Sequence, residues 1–292
     1  MKRTNLKKAD AGIQKGLHVV EPQKAPKTKP YSDIDLNNWK LYSHIKTGTL
    51  WEFDSRDKSN GHSYDYHGNY IPQIATQLYE RFTKKNDIIL DMFLGSGTSA
   101  IEALNMDRRC IGVELQQRVV DYVSKKFTPK QLVKNVNIIC GDSSSEDIKL
   151  RIQDRLQIMG RDFAQFLVLH PPYDDIIKFS ENTRDLSNCE STEEFYDMFS
   201  LVAKNGYEML EKGRFAALII GDKYANSRFV PLGFECMKRM EEAGFICKAT
   251  IVKNVAGNEK AKGKTANLWR YRALAGGFYI FEHEYIMIFQ KV

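Results

Sequence analysis

Ile88-Ile89-Leu90-Asp91-Met92-Phe93-Leu94-Gly95-Ser96-Gly97-Thr98 decides the fold. Three consecutive apolar residues make a short strand buried on both faces, and an acid marks its end. Two glycines then let the backbone turn tightly and pass close to a ligand. The spacing of Ile101, Leu104 and Met106 predicts a helix beginning near Thr98. A dinucleotide-binding turn would show G-x-G-x-x-G/A, which Gly95, Gly97 and Ala100 match only loosely. Asp91 opposes that alternative, because a carboxylate at the strand end repels a pyrophosphate and suits the ammonium of an amino-acid moiety.

Working outward, the same unit repeats. Cys110 to Val113 reads as a strand ending at Glu114, Val136 to Cys140 as one ending at Gly141-Asp142, and Phe166 to Leu169 as one ending at His170. A fifth, Phe215 to Ile220, ends at Gly221-Asp222. Helical spacing fills the gaps, for example Val119, Val120, Val123 and Phe127. Upstream, Ile71, Ile74, Leu78, Tyr79 and Phe82 share one helix face, with Pro72 acceptable in the first turn. Continuous apolar strands alternating with helices predict an α/β fold, a doubly wound and mostly parallel sheet. Such sheets bind ligands at the carboxyl ends of their strands, where Asp91, Glu114, Asp142, His170 and Asp222 all fall. Two β-rich runs close the chain, Phe245 to Val252 and Tyr285 to Phe289, with no long helix expected between them.

The bulk numbers narrow the class. Hydrophobic residues at 42% and charged residues at 27% fit a globular protein with a core. No run approaches the roughly 20 apolar residues of a membrane helix. Five scattered cysteines without a C-x-x-C pair argue against a disulfide framework or a zinc site and fit a reducing cytoplasm. Eight Lys/Arg against Asp10 and Glu21 give residues 1–30 a charge of +6, which is the whole formal net charge of the chain. A basic arm of that kind suits phosphate contact, and it equally suits a solvated leader.

Glu114 is placed to accept both ribose hydroxyls of a nucleoside, and Asp142 an adenine amino group or the first amides of the next helix, expected near Ser144. In His170-Pro171-Pro172-Tyr173 the two prolines stiffen the loop and leave its carbonyls free as acceptors, while Tyr173 offers a stacking face. That combination suits an amino-bearing base taken out of a duplex. Between the last strands, Lys260, Lys262, Lys264, Trp269, Arg270, Tyr271 and Arg272 interleave cations with aromatics in a Gly-punctuated frame, as nucleic-acid contacts do.

Asp91 to Thr98 resembles the D-x-F-x-G-S-G-T cofactor motif of the DNA amino-methyltransferases, and His170 to Tyr173 their catalytic [D/N/S]-P-P-[Y/F/W] motif. The segment Tyr70-Ile71-Pro72 resembles the start of the helix that closes over the methionine end of the cofactor. The resemblance covers roughly residues 66 to 290. It implies a Rossmann-like class I methyltransferase sheet with a C-terminal antiparallel β-hairpin. It also implies S-adenosylmethionine as cofactor, released as S-adenosylhomocysteine, and no metal. Tyr70, Ile71, Asp91, Phe93, Gly95, Gly97, Thr98, Glu114 and Asp142 are then its binding residues. The expected organisation is a basic arm over 1–31, an aromatic segment over 32–70 packing on the core, and a catalytic domain over 71–292 with an insert at 254–283.

The expected partner is double-stranded DNA; whether a cognate restriction nuclease accompanies the enzyme is left open at this level. The departure is His170, where adenine-N6 enzymes usually carry Asp or Asn and cytosine-N4 enzymes often Ser. Histidine leaves the base open and accepts a hydrogen bond only when neutral, which predicts loss of rate on acidifying through about pH 6.5. Direct transfer is expected, with the base amino group donating to His170 and the Pro171 carbonyl. Three rivals remain at this level: a tRNA guanine-N2 methyltransferase, a protein glutamine methyltransferase, and a non-catalytic DNA-binding module.

Overall fold

The computed structural model describes residues 25–59, 62, 68–255 and 266–292. The basic residues from Lys2 to Lys24, together with Tyr64, Tyr66, Lys260, Lys262 and Lys264, lie outside the described residues. The first regular element is a 3₁₀ turn, Leu36–Tyr42, whose start Asp35 caps by accepting from the Asn37 amide. A two-residue strand, β1 (Leu50–Trp51), follows and buries Trp51. Helix α1 (Pro72–Phe82) begins with proline in its first turn, where the missing N–H costs nothing, and buries Ile74, Leu78, Tyr79 and Phe82.

From there strand and helix alternate. β2 (Ile88–Asp91) leads into α2 (Thr98–Asn105), and β3 (Arg109–Glu114) into α3 (Gln117–Ser124) and α4 (Pro129–Lys134). β4 (Val136–Cys140) precedes α5 (Asp147–Ile158), and β5 (Ala164–Leu169) precedes α6 (Thr192–Met209). β6 (Leu210–Ile220) runs into a small hairpin of β7 (Lys223–Ala225) and β8 (Arg228–Val230), then α7 (Leu232–Glu242) and β9 (Ile246–Asn254). Helix α8 (Ala266–Gly276) and β10 (His283–Gln290) complete the described chain.

The main sheet orders its strands β1-β9-β10-β6-β5-β2-β3-β4. β6, β5, β2, β3 and β4 pair in parallel, whereas β10 is antiparallel to both β6 and β9. Alternation along the strands explains their unbroken apolar runs. Ile88, Leu90, Leu167, Leu169, Leu218 and Ile220 face a core closed by α5, α6 and α7. Ile89, Phe166, Val168, Phe215, Ala217 and Ile219 face the other, closed by α1, α2 and α3. Each such side chain, removed from water, contributes about 1.5–3 kcal/mol, so a polar residue inside these strands is costly and the polar residues collect at their ends.

Two expectations need correction. The tail was expected to lack a long helix between its last strands, yet the 11-residue α8 occupies Ala266–Gly276. Ala, Leu and Arg favour it, and Gly277, at φ +67°, ends it in a conformation that only glycine adopts easily. The helix after β4 begins at Asp147, not near Ser144. Asp142 instead closes a tight turn, its Oδ1 accepting from the Ser144 amide at 2.8 Å.

Candidate active site at the carboxyl edge of the sheet

The chain runs outward from β2 to β3 and β4 on one side and from β5 to β6 on the other, so the order of strands reverses between β2 and β5. Crossover helices leave opposite faces there, and a crevice opens at the carboxyl edge. In this protein it is a cavity of 820 Å³. Both motif loops line it, along with residues ending β3, β4, β6 and β9 and the first residues of β10.

The glycine turn divides its labour. Phe93, Gly95 and Thr98 line the cavity. Gly97 does not: it caps α2 at φ +87°, and a Cβ there would lie 2.7 Å from Val123 Cγ1. Thr98 is 3% exposed, and its Oγ1 has no hydrogen-bond partner among the described residues. A buried hydroxyl left unpaired is costly, and this one belongs to the first residue of α2.

Asp91 departs from expectation. It does not line the cavity and is 1% exposed. Its Oδ1 accepts from the Phe93 amide at 2.8 Å, and its Oδ2 accepts from the Ser99 hydroxyl, which also bonds the Tyr70 hydroxyl. The carboxylate fixes the turn and, through Ser99, the Tyr70 ring that does line the cavity. Burial pushes its pKa up to about 6, against the hydrogen bonds from Ser99 and Phe93.

Glu114 and Asp142 line the cavity as expected. Glu114 accepts from the Gly95 amide at 3.0 Å and the Gln116 amide at 2.9 Å, one per oxygen, leaving each oxygen a lone pair. Asp142 carries a partner that the sequence did not announce, the Arg184 guanidinium, 2.6 Å from Oδ2. Ile71 and Tyr70 complete the wall beside the turn.

On the other side stands the His170 loop. The His170 ring is half-buried and lies edge-on to Tyr70 and Tyr173, with centroids at 5.3 and 5.9 Å. Burial lowers its pKa to about 4, against the pull of Glu284 and helped by Lys253 and Arg56. This replaces the reference value near 6.5 and leaves the imidazole neutral across the physiological range. Tyr173 Oη donates to Glu284 Oε2 at 2.8 Å, and Lys253 Nζ donates to Glu284 Oε1 at 2.8 Å. Just beyond, Asp174 sits at φ +51° and accepts from Lys223 Nζ at 2.5 Å and from Thr192 Oγ1 at 2.7 Å. Lys223 also reaches Asp175 at 2.7 Å, so the loop exit is clamped.

Of the expected nucleic-acid contacts, Trp269, Arg270 and Arg272 lie on α8, and Trp269 lines the cavity. The Arg272 guanidinium lies 5.3 Å from the Trp269 ring centroid. Around them Tyr271, Leu274 and Tyr279 are exposed, and Tyr224 stacks on Phe278 at 4.6 Å. Among the described residues no three His, Cys, Asp or Glu side chains gather as a metal site, and no helix is long and apolar enough to cross a membrane.

A family described as DNA methylase (N6_N4_Mtase) matches residues 7–125. The chain is 30% identical over 86 residues to the type II methyltransferase M.BglI of Bacillus subtilis, a stretch covering 30% of this chain and 24% of that one. It is 23% identical over 145 residues to the type II methyltransferase M2.LlaDCHI of Lactococcus lactis subsp. cremoris, covering 39% and 52%. Across four such relatives the matched stretch spans 9–52% of their own length. Among solved structures, the [4+2]-cyclase SpnF superposes with a TM-score of 0.50 at 14% identity, over 86% of this chain and 92% of that one. That likeness concerns the Rossmann-like fold and carries no reaction with it. The sequence matches support the DNA amino-methyltransferase family for this chain.

Proposed function

We propose that this protein transfers a methyl group from S-adenosylmethionine to an exocyclic amino nitrogen of a DNA base, adenine N6 or cytosine N4, as the modifying enzyme of a restriction-modification system. The observation that carries the proposal is the single cavity on which the glycine turn and the His170-Pro171-Pro172-Tyr173 loop meet.

The donor and acceptor set fits the cofactor. Glu114 has a free lone pair on each oxygen for the ribose hydroxyls, and Asp142, whose Oδ1 takes two donors from Ser144, keeps a lone pair on Oδ2 beside Arg184 for the adenine amino group. The orphaned Thr98 hydroxyl, at the positive end of α2, suits the carboxylate of the amino-acid moiety. Ile71 and Phe93 supply apolar walls, and Gly95 lets the backbone come close. When bound, the cofactor supplies a methyl group on a positively charged sulfur.

The remaining residues act on the base. Tyr173 offers the flat surface on which a flipped base stacks. The neutral His170 ring and the Pro171 carbonyl each accept one hydrogen of the amino group, which turns the nitrogen lone pair toward the methyl donor. Neutrality matters because an imidazolium has no lone pair to offer. Burial of His170 extends that neutrality to lower pH. Exposed Arg270 and Arg272 on α8, beside Trp269, form the DNA-contacting rim.

The test is incubation of the purified protein with labelled S-adenosylmethionine and unmethylated plasmid, then nucleoside digestion and mass spectrometry. N6-methyladenine or N4-methylcytosine is the expected product and settles the base. Label absent from DNA but present in tRNA or protein overturns the proposal.

A further inference from the structure

The geometry points to Glu284, held by Lys253, as a positioning residue that fixes the stacking ring of Tyr173 from the far edge of the sheet. This rests on the base-methylation reading above. Tyr173 follows two prolines, so its backbone is stiff, but nothing in a Pro-Pro-Tyr turn sets where the ring points. Two contacts do. At one ring edge lies Gly221, where even a Cβ would come 3.0 Å from Tyr173 Cε2. At the tip, the hydroxyl donates to Glu284 Oε2 at 2.8 Å. The ring is therefore wedged between the end of β6 and the start of β10, 111 residues away in sequence.

Glu284 could not hold this place alone, since an uncompensated buried carboxylate takes up a proton or draws in water. It is 8% exposed and Lys253 4%. The two are direct cross-strand partners in the β9–β10 ladder, with Nζ 2.8 Å from Oε1. Burial works to raise the Glu284 pKa; Lys253, His170 and the Tyr173 hydroxyl outweigh it, and the carboxyl sits below its ordinary value. Each oxygen thus has one committed donor: Lys253 orients the carboxylate, and the carboxylate orients the phenol.

The consequence concerns kcat, not cofactor binding. A stacked base must present its nitrogen along one line, and a misplacement of about 1 Å costs on the order of 100-fold in rate. Two paired variants separate positioning from a merely structural ion pair. Glu284→Gln with Lys253→Met keeps a neutral acceptor for Tyr173, while Glu284→Leu with Lys253→Met removes it and leaves an apolar pair that can pack. The readouts are kcat for DNA labelling, the calorimetric Kd for S-adenosylhomocysteine, and the melting temperature.

The Gln/Met protein is expected to stay within about threefold of wild-type kcat, and the Leu/Met protein to lose roughly 30- to 100-fold. Both should bind S-adenosylhomocysteine within about threefold of wild type. Tyr173→Phe should lose as much as the Leu/Met protein, and combining the two should lose no more, because they break one contact. Full kcat in the Leu/Met protein, losses that multiply, or kcat and cofactor affinity falling together would overturn the inference. Failure of the wild-type protein to label DNA overturns the base-methylation reading, and this inference with it.

Discussion

Lowering the pH toward 6 should leave methyl transfer almost untouched, and this tests the neutral-acceptor role of His170. With its pKa near 4, about 1% of His170 is protonated at pH 6.0; at the reference value of 6.5 about 76% would be. If the rate follows the neutral fraction, the structure expects at least 90% of the pH 7.5 rate at pH 6.0, whereas an unperturbed histidine would leave about a quarter. The assay is initial-rate labelling of DNA at saturating cofactor from pH 5.5 to 8.0. A fourfold fall between pH 7.5 and 6.0 that disappears in His170→Asn would refute the reasoning.

Two controls make that outcome interpretable. Asp91 has its pKa raised to about 6 by burial, so a rate change near pH 6 can come from it. Such a change would persist in His170→Asn and vanish in Asp91→Asn. Stability is the second. A histidine whose folded pKa lies below its unfolded one binds more protons when unfolded, so the native state loses stability as pH falls from about 6.5 to about 4 and loses no more below that. For the half-buried His170 the loss is at most about 3 kcal/mol, discounted for its residual exposure. Circular dichroism at each pH separates loss of fold from loss of the acceptor.

Other expectations follow from single contacts. Thr98→Val removes a hydroxyl that has no partner, so the melting temperature should hold or rise while calorimetry shows cofactor affinity falling about tenfold, the worth of one hydrogen bond. Gly97→Ala should destabilise by about 1–3 kcal/mol in urea titration, because it combines a left-handed φ with a 2.7 Å approach to Val123; adding Val123→Ala should recover only the steric part. Asp91→Asn should flatten the pH dependence of the melting temperature between pH 4 and 6. The raised carboxyl binds its proton more tightly folded than unfolded, so wild-type stability falls as pH rises through that window. Replacing Arg270 and Arg272 with Gln should weaken DNA binding at every sequence and flatten the log Kd against log salt plot by about 1–2 units of slope.

What the sequence disclosed and what it hid divide by the range of the interactions concerned. The β2 strand, its glycine turn and the β5 loop are local patterns, and the apolar runs are unbroken because both sheet faces are buried. The burial of Asp91 was not legible because Ser99, which donates to it, and Tyr70, which bonds Ser99, come together only once the segment before α1 has packed on α2. Arg184 lies 42 residues from Asp142, in a stretch that reads only as polar. Helix α8 escaped notice because its exposed residues carry no apolar stripe, leaving propensity as its one signal.

Glu284 and Lys253 were invisible for a topological reason. In a purely parallel sheet every strand begins at the edge away from the ligand, and a residue opening the last strand would sit about a strand length from the cavity. β10 runs the other way between β6 and β9, so its first residues arrive at the carboxyl edge, and register sets Glu284 opposite Lys253 at the end of β9. Without that inversion the same Phe-Glu-His-Glu-Tyr sequence would be an unremarked strand start. With it, two charges that would be expensive inside a sheet stand at the tip of the Tyr173 ring, paired with each other and with the hydroxyl that the Tyr173 side chain extends toward them.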